Sequence, residues 1–190
     1  MYSWLMSRTG YAGIYFALTG EANINRNMPA FMPATIAHEL AHQRGVFAED
    51  ETNFVAIIAC ITSGNTVYEY SGYLLGLIYL LNAIFDASRT YSAAGSDAWI
   101  EAMDAWIDIQ AGFGPELRRD WTDNYEFWAS QRTVDTGITI IDTVLTAVTQ
   151  TVSDAVTAIY DGYLRAQDQE LGIRSYGAVV DLLVLYFSTD

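Results

Sequence analysis

His38-Glu39-Leu40-Ala41-His42 contains both histidines of this 190-residue chain, four positions apart, with a glutamate directly after the first. On a helix, residues i and i+4 share a face, with Cβ atoms about 5–6 Å apart. Two imidazoles so placed reach one zinc ion at about 2.0–2.1 Å. Glu39 projects from the same turn, within reach of a water on that ion. This is the HExxH arrangement of two ligands and a general base. Zinc lowers the pKa of such a water to about 7, so a carboxylate can take its proton near neutral pH. Five letters are weak evidence by themselves. The economy of histidine strengthens them, because neither residue has another evident task. The stretch therefore predicts a helix around which the rest of the chain packs.

Zinc needs a third protein ligand, and no histidine remains to supply it. The longer HExxHxxGxxH pattern is excluded, because Gly45 matches its glycine but position 48 is Ala48. The single cysteine, Cys60, falls deep in an apolar helix. That leaves a carboxylate, and Glu49 and Glu51 lie just past the turn. Zinc peptidases of the gluzincin type take their third ligand from a second helix, commonly with an acidic or amide residue four positions later. Glu49 and Asn53 resemble that pair in spacing. Asn53 would then hydrogen-bond the free ring nitrogen of a ligand histidine. Glu51 points about 200° away on the helix. Glu49 is the preferred ligand and Glu51 the alternative. Whichever does not bind metal is favourable negative charge at a helix N-terminus.

Outward from this centre the pattern is mainly helical. The first helix starts near Pro33 to Thr35, with Thr35 as an alternative N-cap, and ends at Gly45 as its C′ residue. A second runs from Ala48–Asp50 to near Gly64 and is apolar nearly all round, which predicts a central buried helix. A third covers roughly Ser71 to Ser88. Asp97–Gln110 is amphipathic, with Trp99, Met103, Trp106 and Ile107 on one side, and Glu116–Gln131 is a charged helix. Val134, Ile138, Ile141, Leu145, Val148, Val152, Ala155 and Ile159 recur at spacings of four and three, with a threonine- and aspartate-rich back. Ala178–Phe187 is a short final helix or strand. On the N-terminal side, Tyr11–Leu18 reads as a strand, Thr19–Glu21 as a turn and Ala22–Pro33 as a polar loop. The expectation is a single zincin-like domain over residues 1–190, a helical bundle around the HExxH helix with a small N-terminal strand or hairpin.

Composition excludes some partners. Just over half the residues are hydrophobic and 14% aromatic, enough for a packed core. The formal net charge is −14 and all nine cations are arginines. Such a surface repels phosphate backbones and anionic lipid, so no nucleic-acid partner is expected. Met1–Tyr15 lacks a basic start followed by an apolar run, so no secretory signal is read there. The most apolar stretch, Gly72–Phe85, is too short for the roughly 20 residues a membrane span needs. As given, the chain reads as soluble with no membrane span.

The run HELAHQRGVFAEDETNFVA resembles the core of an uncharacterised bacterial HExxH family, domain of unknown function 3810. Thr19–Asn23, Tyr70-Ser71-Gly72, Gly162–Arg165 and Gly172–Leu183 extend the likeness over nearly the whole chain. The family typically has alanine where this chain has Thr52. The resemblance implies a zinc metallopeptidase without a known substrate. It also implies membrane-spanning helices before this domain, which would make the protein membrane-associated or extracytoplasmic if attached to them.

A hydrolase also needs a group to stabilise the oxyanion. With no spare histidine and no lysine, tyrosine and arginine are the side-chain candidates. Tyr176 ranks first, beside Arg174 in a family-like turn, and Tyr68 and Tyr70 follow the second helix. Glu21 and Asn23 line the cleft or cap the loop. The leading expectation is a zinc endopeptidase acting on a peptide or protein substrate, in which Glu39 activates a water on zinc held by His38, His42 and Glu49. A non-catalytic zinc protein would instead close its site with a fourth ligand, Glu51 or Cys60. A helical interaction domain with an accidental motif is the third reading.

Overall fold

The computed structural model describes residues 2–26, 29–90, 93–132 and 178–188, with 143, 147, 151 and 154 between them. α1 spans Tyr2–Thr9, and α2, Met32–Gln43, holds the HExxH stretch. Its N-cap is Phe31, not a residue of Pro33–Thr35, and Phe31 has no side-chain acceptor to offer the first turn. Pro33 lacks an N–H and removes one donor from that turn. A second donor, Ala34 N–H, is satisfied from another helix, by the fully buried Ser71 Oγ at 3.0 Å. Thr35 is inside the helix, its hydroxyl bonded back to Phe31 O. At the other end Gly45 takes φ +93°. Gly45 N–H bonds His42 O and Val46 N–H bonds Ala41 O, which is the Schellman closure.

That closure turns the chain directly into α3, Glu49–Ile61. α3 buries Thr52, Asn53, Ala56, Ile57 and Cys60 against α2 and α4. It is not buried all round, because Val55 is 39% exposed and Ala59 lies on the same open side. α4, Thr66–Thr90, starts five residues before the expected Ser71. Asn65 is the reason: its side-chain oxygen accepts from Val67 N–H at 3.0 Å, so the helix is capped there. Gly72 lets α4 approach α3, since a Cβ at that position would lie 2.7 Å from Cys60 Cβ. α5, Asp97–Ala111, is capped by Ser96, and α6 spans Pro115–Arg132. On α5 the Trp106 ring meets Phe85, but Ile107 is 54% exposed and does not share the covered side. α7, Ala178–Ser188, is a helix. It brings Val179 and Leu183 onto Ile57 to form the core cluster, each buried side chain contributing about 1.5–3 kcal/mol. Of the 134–159 stripe, only Thr151 and Asp154 on the polar back, with Thr143 and Ala147, are described, as exposed helical residues.

The N-terminal strand is one arm of an antiparallel hairpin: β1, Gly13–Phe16, pairs with β2, Glu21–Ile24. Ala22–Ile24 is therefore strand, not loop. Its polar letters misled because Glu21, Asn23 and Ile24 face solvent, so no apolar alternation marks it. The buried Asn25 anchors the hairpin. Its amide donates to Tyr11 O at 2.9 Å and Ser7 Oγ at 3.0 Å, and its carbonyl accepts from Ser3 of α1. So held, the hairpin packs on α2. Among the described residues no helix is long and apolar enough to cross a membrane.

Candidate metal centre

α2 and α3 meet with His38, Glu39 and His42 facing Glu49 and Asn53. His38 Nε2 lies 3.4 Å from one carboxylate oxygen of Glu49, and His42 Nε2 lies 3.3 Å from the other. The two imidazoles are edge to face, with centroids 4.6 Å apart. One ligand atom from each of the three residues falls within 4.8 Å of the other two, so the group could hold a metal ion. The spacing has a physical meaning. A charge-assisted N–H···O bond closes to about 2.7–2.9 Å. Two ligands of a tetrahedral zinc, each about 2.0–2.1 Å from the ion, stand about 3.3 Å apart. Each contact is nearer the second distance, though the two reach different oxygens of Glu49.

Each histidine is oriented through its other ring nitrogen. Asn53 donates its amide to Glu49 O at 2.6 Å, which turns its oxygen toward His38 Nδ1 at 2.9 Å. His42 Nδ1 donates to Val46 O at 2.8 Å, a carbonyl placed there by the Gly45 closure. Both Nδ1 atoms are therefore donors, and both Nε2 atoms carry their lone pair toward Glu49 whenever the rings are neutral.

Burial governs the titration. His42 and Glu49 are each 3% exposed and Glu39 is 5% exposed. Desolvation pushes His38 down to about 4, against the opposing pull of Glu49. It pushes Glu39 up to about 8. For His42 desolvation is the largest single effect and acts downward, but Glu49, Val46 O and Glu39 together outweigh it and raise its pKa. Glu39 Oε2 and His42 Nε2 are buried without a well-aligned hydrogen bond. Such orphaned polar atoms are costly unless something else satisfies them.

The hairpin forms the other wall. A Cβ on Gly13 would lie 2.4 Å from Glu39 Oε1, so the strand rests directly on that carboxylate. The Tyr15 ring, two residues on, stacks on His42 at 6.3 Å. Strand alternation puts Gly13 and Tyr15 on one face, and that face covers α2. A cavity of about 270 Å3 opens beside it, walled by residues 10–14, His38, Glu39, Glu49, Asn53, Leu75 and Tyr79.

The remaining sequence candidates lie elsewhere. Glu51 is exposed at the start of α3, outside the cluster. Cys60 is three turns away, packed against the α4 backbone at Gly72. Glu21 and Asn23 are exposed on β2, bonded within the hairpin, and do not line the cavity. Tyr68 is 44% exposed, and Tyr70 donates to Asp120 at 2.9 Å. Tyr176 and Arg174 lie outside the described residues. Sequence reasoning missed Gly13, Tyr15, Val46 O, Leu75 and Tyr79. Only Gly13 left a signal, as a glycine inside a strand pattern, which marks close approach of another group.

A family model described as "Protein of unknown function (DUF3810)" matches residues 1–184. No curated protein and no solved structure matches the chain.

Proposed function

The chain belongs to the DUF3810 family, and from its buried His38–His42–Glu49 cluster we propose that it is a zinc-dependent metallopeptidase of gluzincin type. The observation that carries this reading is the buried group of two imidazoles and one carboxylate, with nitrogen–oxygen contacts of 3.3 and 3.4 Å and one ligand atom from each residue within 4.8 Å of the others. Zinc bound there would supply Lewis acidity and acidify a water. Three protein ligands leave the fourth position open, as catalytic zinc sites do. Glu39 stands beside the cluster without contributing to it, and among the described residues its Oε2 has no hydrogen-bond partner. Its role is to take the proton of the attacking water and pass it to the leaving amine. Asn53 and Val46 O hold the imidazoles in the ligating tautomer. Residues 10–14, running into β1, line the cavity beside the cluster, where an extended peptide would lie.

A non-catalytic zinc site would be closed by a fourth protein ligand. Among the described residues Glu51 and Cys60 both stand outside the cluster, and this favours the open site. The test measures bound zinc and cleavage of a broad peptide library in the wild type, His38→Ala and Glu39→Gln. The proposal expects zinc loss in His38→Ala, and retained zinc with lost cleavage in Glu39→Gln. A wild type purified without chelator and free of zinc would overturn it.

A further inference from the structure

Thr52 is completely buried one turn after Glu49, although a threonine inside a helix is unremarkable by sequence. Its hydroxyl lies 2.7 Å from Ala48 O, 3.1 Å from Val46 O and 3.4 Å from His42 Nδ1. The single proton serves the nearer carbonyl, the approach to Val46 O is left without one, and a lone pair remains for His42 Nδ1–H. The hydroxyl donates to Ala48 O, its shortest contact. His42 Nδ1–H donates mainly to Val46 O and leans secondarily on the hydroxyl oxygen. The atoms involved are the outer partner of one ligand, His42, and the carbonyl immediately before another, Glu49. A single side chain thus ties the end of α2, the 44–48 connection and the first turn of α3.

On the reading of this cluster as a zinc site, we propose that Thr52 is a positioning residue of the metal centre, holding His42 and Glu49 at ligating distance from each other. The hydroxyl is not needed to satisfy the loop. Without it Ala48 O still accepts Thr52 N–H at 2.8 Å, and Val46 O still accepts His42 Nδ1–H. Valine matches threonine in shape and leaves neither carbonyl orphaned. Loss of the hydroxyl therefore acts on the ligand geometry while the fold stays intact.

The experiment compares wild type, Thr52→Val and Thr52→Ser by zinc affinity under chelator competition, by the visible spectrum of the cobalt-substituted protein, and by thermal midpoint without metal. Outer partners of metal ligands are worth about 10–100-fold in affinity. Thr52→Val is expected to bind zinc at least tenfold more weakly and to shift the cobalt bands. Thr52→Ser should restore both to within about threefold, and the metal-free midpoints should stay close together. Unchanged affinity and spectrum in Thr52→Val would overturn the proposal. So would an affinity loss that serine does not rescue, or one matched by an equal fall in metal-free stability, since both indicate packing alone. A wild type that takes up neither metal would fail earlier, on the metal-site reading itself, so the two failures are distinct.

Discussion

Replacing Gly13 by alanine tests how the hairpin governs the candidate base. The new methyl would sit 2.4, 2.6 and 2.7 Å from Oε1, Cγ and Cδ of Glu39. Ordinary carbon contacts lie near 3.5–4.0 Å, so about 1 Å of separation has to be found. The strand is poorly placed to yield. It is paired with β2 at four positions, and the hairpin is held by the buried Asn25. The tip of Glu39 is flexible and gives way first. Overpacking of this kind costs about 1–3 kcal/mol, and a moving side-chain tip places the cost near the lower end. Displacing a reacting group by about 1 Å costs on the order of 100-fold in rate. His38, His42 and Glu49 are untouched, so zinc affinity should stay within a few-fold. Zinc titration, thermal denaturation and peptide cleavage on Gly13→Ala separate these effects. A double-mutant cycle adds a readout independent of activity: in a Glu39→Ala background the stability cost of Gly13→Ala should vanish, because the clashing atoms are gone. Wild-type cleavage by Gly13→Ala, or an additive cycle, would refute the reasoning.

Three further outcomes follow from the same geometry. In metal-free protein the folded-state pKa of Glu39, about 8, lies above its ordinary 4.5, so its stabilising contribution is complete below 4.5 and is lost as pH rises through 8. Glu39→Gln should flatten that decline in thermal midpoint between pH 4.5 and about 8, and parallel wild-type and variant curves would contradict it. Asn53→Ala frees His38 Nδ1 from its 2.9 Å partner, and chelator competition should show zinc affinity about 10–100-fold weaker. An unchanged affinity would mean that Asn53 does not orient the ligand. Ser71→Ala leaves the buried Ala34 N–H without an acceptor, so chemical denaturation should report a loss of about 1–3 kcal/mol; a loss below a few tenths would show that the N-terminus of α2 finds another partner.

The sequence made some parts of this site legible because their determinants are local. The i, i+4 histidines share a helix face by helical geometry alone, and the glycine at 45 ends that helix wherever the pattern occurs. Glu49 and Asn53 could be paired because their spacing is again one turn. The hairpin was half legible. Tyr11–Leu18 carries strand-forming residues, whereas β2 has a solvated polar pattern and gained its strand geometry only from pairing. Asn65 gives little sign of being a cap in the sequence, because the aromatic run after it carries no helical stripe.

By itself the sequence narrowed the candidate donors to two histidines and a nearby carboxylate, since no other histidine and only one cysteine exist in the chain. It determined a mainly helical chain and the turn that reverses α2 into α3. Only the tertiary structure distinguishes the two glutamates: packing α3 on α2 buries Glu49 against both imidazoles and leaves Glu51 in solvent. The tertiary structure also laid Gly13 on Glu39 and set Val46 O and Thr52 behind His42. Contacts between groups distant along the chain, or through backbone carbonyls common to every residue, leave no periodicity to read.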